Sequence, residues 1–521
     1  MLISDLVTWA GDQWPNKEAL VDIDPATNIR LNLTFKEFDE KINKVSNALL
    51  ASGIKKGDTI IHFVKNRLEW LETYFGVIRI GARIVPLNFR FTSDDIKYVC
   101  DTLNSSMMIV EEDLIDIIEP VKSDIQTITQ YVVIGENAPE GMTTYADFLS
   151  DSTSDVPETD VSEEDDLGIY FTSGTTGKPK PILYTHRNLY EVAVTNGLGV
   201  PLPDNSNSVM YCPLYHTATF FFWLPNLLVG GKGTILRRFS VKDLLKTMAD
   251  EKGTEINIPM PHCIALVNAQ KSGEINVNDY DLSSWELINT GAQPYPPSVI
   301  ADMVELLPTV GVQHGYGISE GGGAALIMLK PDMIQAKPGS CGKPTPTVSV
   351  KIVDANGDEV PVGESGEMII KCGRMMKEYY NNEEETAKTI KNGWLRTGDV
   401  TKQDDEGYFY IVDRMKDVVI SGGENVYPVE VENVLQTHPK IKMCAVIGTP
   451  DEKFGERVTA VIEVEDGMEL TEEEVLQFCA ENFPPFKRPR RIEFADLPKG
   501  PTNKVLKPEL RQRYSGKSTA F

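Results

Sequence analysis

Residues 167–171 (Leu-Gly-Ile-Tyr-Phe) form a short apolar run, and the chain leaves it through Thr172, Ser173, Gly174, Thr175, Thr176, Gly177, Lys178, Pro179, Lys180 and Pro181. Such a run followed by turn residues predicts a buried strand with a loop at its end. Glycines let backbone amides come close to an anion, hydroxyls add donors, and lysines add charge. The loop is therefore built to hold a polyphosphate. It is not the P-loop of NTPases, G-x-x-x-x-G-K-[ST]. Gly174 and Gly177 stand too close together, and Pro179 replaces the hydroxyl expected after Lys178. Proline also lacks the amide needed there and resists opening the expected helix.

Around this loop the pattern is that of an α/β chain. Residues 36–53 read as a helix stopped by glycine, 59–64 as a strand, and 68–81 as a second helix. Helices alternating with short apolar strands imply a largely parallel sheet. Residues 151–166, rich in Ser, Asp, Glu and Thr, read as an exposed connector into the phosphate loop. From Val348 onward short strands at 348–353, 366–371 and 408–412 suggest a small β-rich subdomain. The texture changes again near Lys416, leaving a C-terminal segment of about 100 residues, the size of a small domain. Its first helix is expected to open at Pro428, where a fixed φ suits the first turn. The expected fold is thus α/β: a large multi-subdomain N-terminal domain (1–415) with mixed sheets and a β-rich subdomain, and a small mobile α+β C-terminal domain (416–521).

A formal charge of −26 argues against nucleic-acid binding and against docking on an anionic membrane. The most apolar stretch, 220–229, is interrupted by Pro225 and is too short to span a bilayer, so no stable membrane insertion is expected. The seven cysteines (100, 212, 263, 341, 372, 444 and 479) are scattered, with no C-x-x-C. Free thiols fit better than disulfides or a zinc site. Asp5 stands where a signal peptide would carry Lys or Arg, and Asp12 follows soon afterwards, so a cytoplasmic protein is expected.

Residues 170–180, Tyr-Phe-Thr-Ser-Gly-Thr-Thr-Gly-Lys-Pro-Lys, closely resemble the signature loop of the adenylate-forming superfamily, which includes acyl-CoA synthetases, peptide-synthetase adenylation domains and beetle luciferases. Further segments match in the family's order. Thr290-Gly291-Ala292-Gln293-Pro294 resembles the loop beside the adenine, and Gly315-Tyr316-Gly317-Ile318-Ser319-Glu320 resembles Y-G-x-T-E with serine for threonine. Gly393-Trp394-Leu395-Arg396-Thr397-Gly398-Asp399 resembles G-W-x-x-T-G-D. Asp413-Arg414-Met415-Lys416-Asp417, continuing to Ser421-Gly422-Gly423-Glu424-Asn425-Val426-Tyr427-Pro428, resembles the hinge and the first motif beyond it. Pro501-Thr502-Asn503-Lys504 stands where S-G-K is usual. The likeness runs over essentially the whole chain.

This resemblance implies an acid–thiol ligase that makes a carboxylate into an acyl-adenylate with ATP-Mg and then passes the acyl group to coenzyme A. Thr172, Ser173, Gly174, Thr175, Thr176, Gly177, Lys178 and Lys180 would hold phosphates. Gly291, Ala292, Gln293, Tyr316 and Gly317 would surround the adenine. Ser319 would donate to phosphate, and Glu320 would ligate Mg²⁺, a cation that prefers one or two carboxylates plus water and phosphate oxygens. Asp399 would accept from the ribose hydroxyls, with Arg414 beside the nucleotide. Lys504 would be the adenylation lysine, Lys416 the hinge, and Gly422 and Gly423 the passage for pantetheine. His216, Gly315 and Gly321 would line the acyl pocket. The missing side chains at Gly315, Gly317 and 321–323 suggest room for more than acetate, and Phe220, Phe221, Phe222 and Trp223 suit either a pocket wall or a buried helix. Pro181, where Gly or Ala is usual, has no functional account.

A medium-chain, branched, alicyclic or aryl acid is the expected substrate; no acidic residue in these segments offers a partner to an amino acid. The alternative is a stand-alone adenylating enzyme that loads an acyl carrier protein. A luciferase-like oxygenase lacks support, since Ser-Thr-Ala-Phe at the end is not a peroxisomal signal. A nucleotide sensor without activity would not need Glu320, Asp399 and Lys504 together. The sequence leaves oligomeric state open, a homodimer included.

Overall fold

The computed structural model describes residues 1–172, 179–200, 202–291, 295–499 and 505–515, with backbone alone at 324 and 325. It divides into two compact units. The first comprises Met1–Thr172, Lys180–Ser349 and Ile370–Leu395; the second comprises Val350–Ile369 and the described residues from Arg396 onward.

The first unit holds two mixed sheets. One runs Lys343–Pro344, Gly323–Leu329, Gly311–Ile318, Leu287–Gly291, Glu255–Asn257, Asn207–Met210, Lys232–Leu236, Glu18–Asp24 and Ile29–Thr34. Its centre is parallel and its margins antiparallel. The other runs Glu378–Tyr379, Lys180–Thr185, Asp166–Thr172, Arg83–Pro86, Thr59–Phe63, Met107–Glu111, Gln130–Ile134 and Thr143–Thr144. The phosphate-loop strand is thus Asp166–Thr172, with its return strand Lys180–Thr185 antiparallel beside it.

Helix Leu68–Arg79 touches strands Arg83–Pro86 and Glu18–Asp24, one from each sheet. Helix His186–Gly199 likewise touches Lys180–Thr185 and Gly323–Leu329. Between them lies an aromatic core in which Trp70 stacks on Tyr74 with ring centres 5.2 Å apart and meets Phe220 at 5.3 Å. Burying each such ring stabilises the fold by about 1.5–3 kcal/mol. Phe220, Phe221, Phe222 and Trp223 on helix Thr217–Trp223 are all buried. This burial matches the buried-helix reading.

Local chemistry sets the helix starts. Thr34 and Glu37 form a capping box at Phe35–Ala51, and Thr185 and Asn188 form one at His186–Gly199. The second box ends the return strand and begins the next helix with no loop between them.

In the second unit, strands Glu424–Val426, Val419–Ser421, Gly455–Val464 and Ile441–Asp451 form a sheet, and Arg491–Phe494 runs parallel to Gly455–Val464. Helices Pro428–Leu435 and Glu472–Asn482 contribute Val431, Leu435, Val475 and Cys479 to its core. The first helix opens at Pro428, as expected. A further antiparallel pairing sets Asp399 opposite Arg414. All seven cysteines are free. Among the described residues no helix is long and apolar enough to cross a membrane.

Candidate active site

Of the predicted site residues, Ser173, Gly174, Thr175, Thr176, Gly177, Lys178, Ala292, Gln293 and Lys504 lie outside the described residues. The remainder fall within one or other unit.

In the first unit, Gly291 and Gly315 lie opposite each other on neighbouring parallel strands. A Cβ on Gly291 would stand 2.3 Å from the Gly315 carbonyl oxygen, so glycine is required by the approach of two backbones. Tyr316 and Gly317 follow on the same strand, Gly311–Ile318, and Ser319–Gly321 is a single 3₁₀ turn at its end.

Packed neighbours stand where side chains on the glycines after Glu320 would go. A Cβ on Gly321 would meet Leu326 at 2.6 Å and Ile370 at 2.9 Å; on Gly322 it would meet the Arg374 carbonyl oxygen at 2.6 Å, and on Gly323 the Phe221 ring at 3.0 Å. Gly322 and Gly323 also have φ of 90° and 78°, a left-handed backbone that favours glycine. The triplet makes a tight reversal against packed neighbours.

Glu320 is half-buried and its Oε1 accepts a hydrogen bond from the Tyr379 phenol at 2.9 Å. The ring of Tyr379 also has the Lys180 ammonium 5.2 Å from its centre, within cation–π range. Lys180 is paired with Glu385 at 2.5 Å. Tyr379 therefore joins a lysine from the end of the phosphate loop to the carboxylate 140 residues later. Burial and the Glu320 charge push the Tyr379 ionisation upward, so the phenol stays protonated and donates.

Two more side chains grip the same turn. The Tyr184 phenol donates to the Ser319 carbonyl and accepts from the Gly322 amide at 3.1 Å. The Arg374 guanidinium, fully buried, donates to the Gly322 carbonyl and to Asn196 Oδ1. Burial pulls its pKa down to about 10, which leaves it charged at neutral pH. Tyr184, Arg374, Tyr379 and Glu385 were not picked out by sequence reading.

His216 caps helix Thr217–Trp223, with Nδ1 accepting the Ala218 amide at 3.1 Å. In the neutral ring the proton then sits on Nε2. The helix packs on strand Gly323–Leu329, which follows the Glu320 turn.

In the second unit, Asp399 is buried and its Oδ1 lies 2.6 Å from Arg414 Nε. The motif around it is tied down by Glu367, which pairs with Arg396 and accepts the Gly398 amide at 3.1 Å. Lys416 is exposed and stands between two anchors. Asp413 accepts the Arg414 and Val429 amides, and Asp417 pairs with Arg511 at 2.6 Å. Desolvation lowers the Lys416 pKa and raises that of Asp413 to about 6. Gly422 and Gly423 form the two-residue loop of a hairpin that pairs Ser421 with Glu424. Their φ of 63° and 85° match the primed turns preferred there.

Among the described residues no group of three His, Cys, Asp or Glu side chains could cage a metal. A single half-buried carboxylate suits instead a magnesium ion that arrives with nucleotide phosphates. The Glu320 set fits that group.

A family model described as AMP-binding enzyme matches residues 7–380, and one described as AMP-binding enzyme C-terminal domain matches 430–504. The long-chain-fatty-acid–CoA ligase FadD13 of Mycobacterium tuberculosis is 30% identical over 499 residues, covering 95% of each chain. The anthranilate CoA ligase AuaEII, solved with anthranoyl-AMP, superposes with a TM-score of 0.86 at 26% identity, covering 98% of this chain and 97% of that one. O-succinylbenzoate CoA synthetase of Bacillus subtilis, solved with ATP and magnesium, gives 0.84 at 26%, covering 97% and 98%. The chain belongs to the AMP-binding enzyme family.

Proposed function

We propose that this enzyme, an AMP-forming carboxylate–CoA ligase, activates a medium-chain, branched, alicyclic or aryl acid. The observation that carries the reading is the convergence of Lys180, Tyr379 and Glu320 in one place. A cation for phosphate oxygens and a carboxylate for magnesium are what activation of ATP needs side by side.

In the first step a carboxylate oxygen attacks the α-phosphorus of ATP, and the bond to the bridging oxygen of pyrophosphate breaks. Lys180 and the loop at 172–178 would hold the phosphates, with Ser319 donating to them. The segment around Gly291 and Tyr316 would pack on the adenine, with Asp399 and Arg414 at the ribose. Lys504 would carry positive charge to the oxygens between acid and phosphate. Glu320 would hold magnesium, which would supply neutralisation of phosphate charge. In the second step the thiolate of CoA attacks the acyl carbonyl and the carbon–oxygen bond to AMP breaks. A small domain at 416–521, turning at Lys416, would exchange Lys504 for the glycine hairpin at 422–423, where no side chain bars pantetheine.

The acid class draws on relatives named for long-chain, anthranilic and succinylbenzoic acids. The test is pyrophosphate release with ATP-Mg across acetate, hexanoate, 2-methylbutyrate, cyclohexanecarboxylate and benzoate, with and without CoA. CoA-dependent turnover of one of the larger acids supports the proposal. Best turnover with acetate sinks the acid class, and adenylate that stalls with CoA points to a carrier protein as acceptor.

A further inference from the structure

Glu320 stands on a turn with little support of its own. Ser319–Gly321 is one 3₁₀ turn and two glycines with positive φ follow it, so its position is set from outside. Residues 374–379 supply most of that support. The Met376 amide donates to the Glu320 carbonyl at 2.8 Å, Arg374 to the Gly322 carbonyl, and the Tyr379 phenol to Glu320 Oε1. Tyr184 holds the other side of the turn through Ser319 and Gly322.

Among the described residues only Tyr379 bonds to the carboxylate itself. Its hydrogen bond fixes the rotation of the carboxylate plane, and among the described residues Oε2 accepts no hydrogen bond. The donor is neutral, so it orients Glu320 without spending its charge. The nearby cation, Lys180, is held by Glu385 at 2.5 Å and does not compete for Glu320. A carboxylate that is oriented, left charged and given one oxygen to spare is what a cation shared with phosphate oxygens requires.

We propose that Tyr379 is a positioning residue, aiming the Glu320 carboxylate at the magnesium ion of ATP-Mg. This rests on Glu320 as the magnesium ligand. Glu320 makes the contact and Tyr379 acts through it, as outer-shell partners of metal ligands do, where their loss typically weakens metal binding about 10–100-fold.

The test compares Tyr379→Phe, which removes one hydroxyl, with Glu320→Gln. Two quantities are read on the full chain. One is the Mg²⁺ concentration for half-maximal pyrophosphate release. The other is Mn²⁺ affinity with α,β-methylene ATP present, followed by electron paramagnetic resonance of free Mn²⁺ and independent of turnover. Tyr379→Phe should raise the Mg²⁺ requirement and weaken Mn²⁺ binding about tenfold. The rate at saturating Mg²⁺, the KM for the acid and the thermal midpoint without ligands should change little. If Glu320→Gln shifts both metal readouts and Tyr379→Phe shifts neither, the role of Tyr379 is refuted and Glu320 stands. If Glu320→Gln shifts neither, the metal assignment of Glu320 itself falls. A loss in Tyr379→Phe that saturating Mg²⁺ does not restore also refutes orientation of the metal ligand as its role.

Discussion

Replacing Gly291 by alanine should separate what the site needs from what the fold needs. A Cβ at 291 would lie 2.3 Å from the Gly315 carbonyl oxygen and 3.3 Å from its carbon, both backbone atoms of the neighbouring strand. Ordinary contact begins near 3.4 Å, so the strands must part locally by about 1 Å. Overpacking of this kind costs about 1–3 kcal/mol. The stiffer unfolded chain of alanine offsets about 0.4–1 kcal/mol. The net loss of about 1–2 kcal/mol lowers Tm by only a few degrees, on the scale of ~2–4 °C per kcal/mol for domains of 150–250 residues. The strand that must move carries Tyr316 and leads to Ser319 and Glu320. A misplacement of about 1 Å at reacting groups costs ~100-fold in rate. Calorimetry and pyrophosphate release at 25 °C should therefore show a folded protein with activity down about two orders of magnitude. Gly197→Ala is the control: its Cβ would meet its nearest neighbour, Pro225, at 3.5 Å inside a helix, and it should be neutral or mildly stabilising. A Gly291→Ala enzyme with unchanged midpoint and rate would refute the close-approach reasoning.

Three further outcomes follow from the geometry. Glu72 is buried beneath the Tyr145 phenol at 2.7 Å, and burial raises its pKa from 4.5 to about 7. The folded state then holds a proton that the unfolded chain has lost, so stability falls as pH rises from about 4.5 through 7. Glu72→Gln should gain roughly 2–3 kcal/mol relative to wild type between pH 5 and pH 8, measured by urea unfolding; equal pH slopes would refute this. Under the proposed ribose role, Asp399→Asn should leave the strand pairing intact and raise KM for ATP about 10–100-fold through weakened charged hydrogen bonds; an unchanged KM removes Asp399 from the proposed nucleotide site. His216→Ala should cost about 1 kcal/mol of stability through the lost helix cap, and His216→Asn should restore it. If acid KM rises in both variants, His216 has a second role at the acid; if it rises in neither, the histidine is a cap alone.

The segments proposed to bind ligand could be picked out because their chemistry is local. A strand running into hydroxyls, glycines and lysines can be read from eleven consecutive residues, 170–180, and Pro428 opens its helix where proline should. Gly291, Tyr316, Glu320 and Asp399 were singled out for the same reason, each inside its own short motif. The supports were not legible, because their meaning depends on distance in space. Tyr184 is one aromatic in an apolar strand, and Arg374 one cation in a run with no periodic signal. Neither shows from the sequence that it bonds a turn 135 or 52 residues away. The glycine triplet at 321–323 shows the same limit: absent side chains look like space until Leu326, Ile370, Arg374 and Phe221 are found filling it.

Arg374 sharpens the distinction between stability and placement. Taking a guanidinium out of water carries an effective penalty of several kcal/mol, and a well-packed apolar side chain of similar volume is often as stable or more so. Two of its acceptors are an amide oxygen and a carbonyl, which return less than a carboxylate would. What the guanidinium adds is direction. Its planar fork holds Asn196 of helix His186–Gly199 and the Gly322 carbonyl together, and so fixes the height of the turn against that helix. Tyr184 and the Met376 amide set the same turn from two other atoms, and Tyr379 sets the carboxylate upon it. A turn whose glycines permit many conformations is thereby reduced to one. The proposed phosphate chemistry would need this, because the return on a preorganised carboxylate and cation is collected only when neither has to move as the α-phosphate reacts.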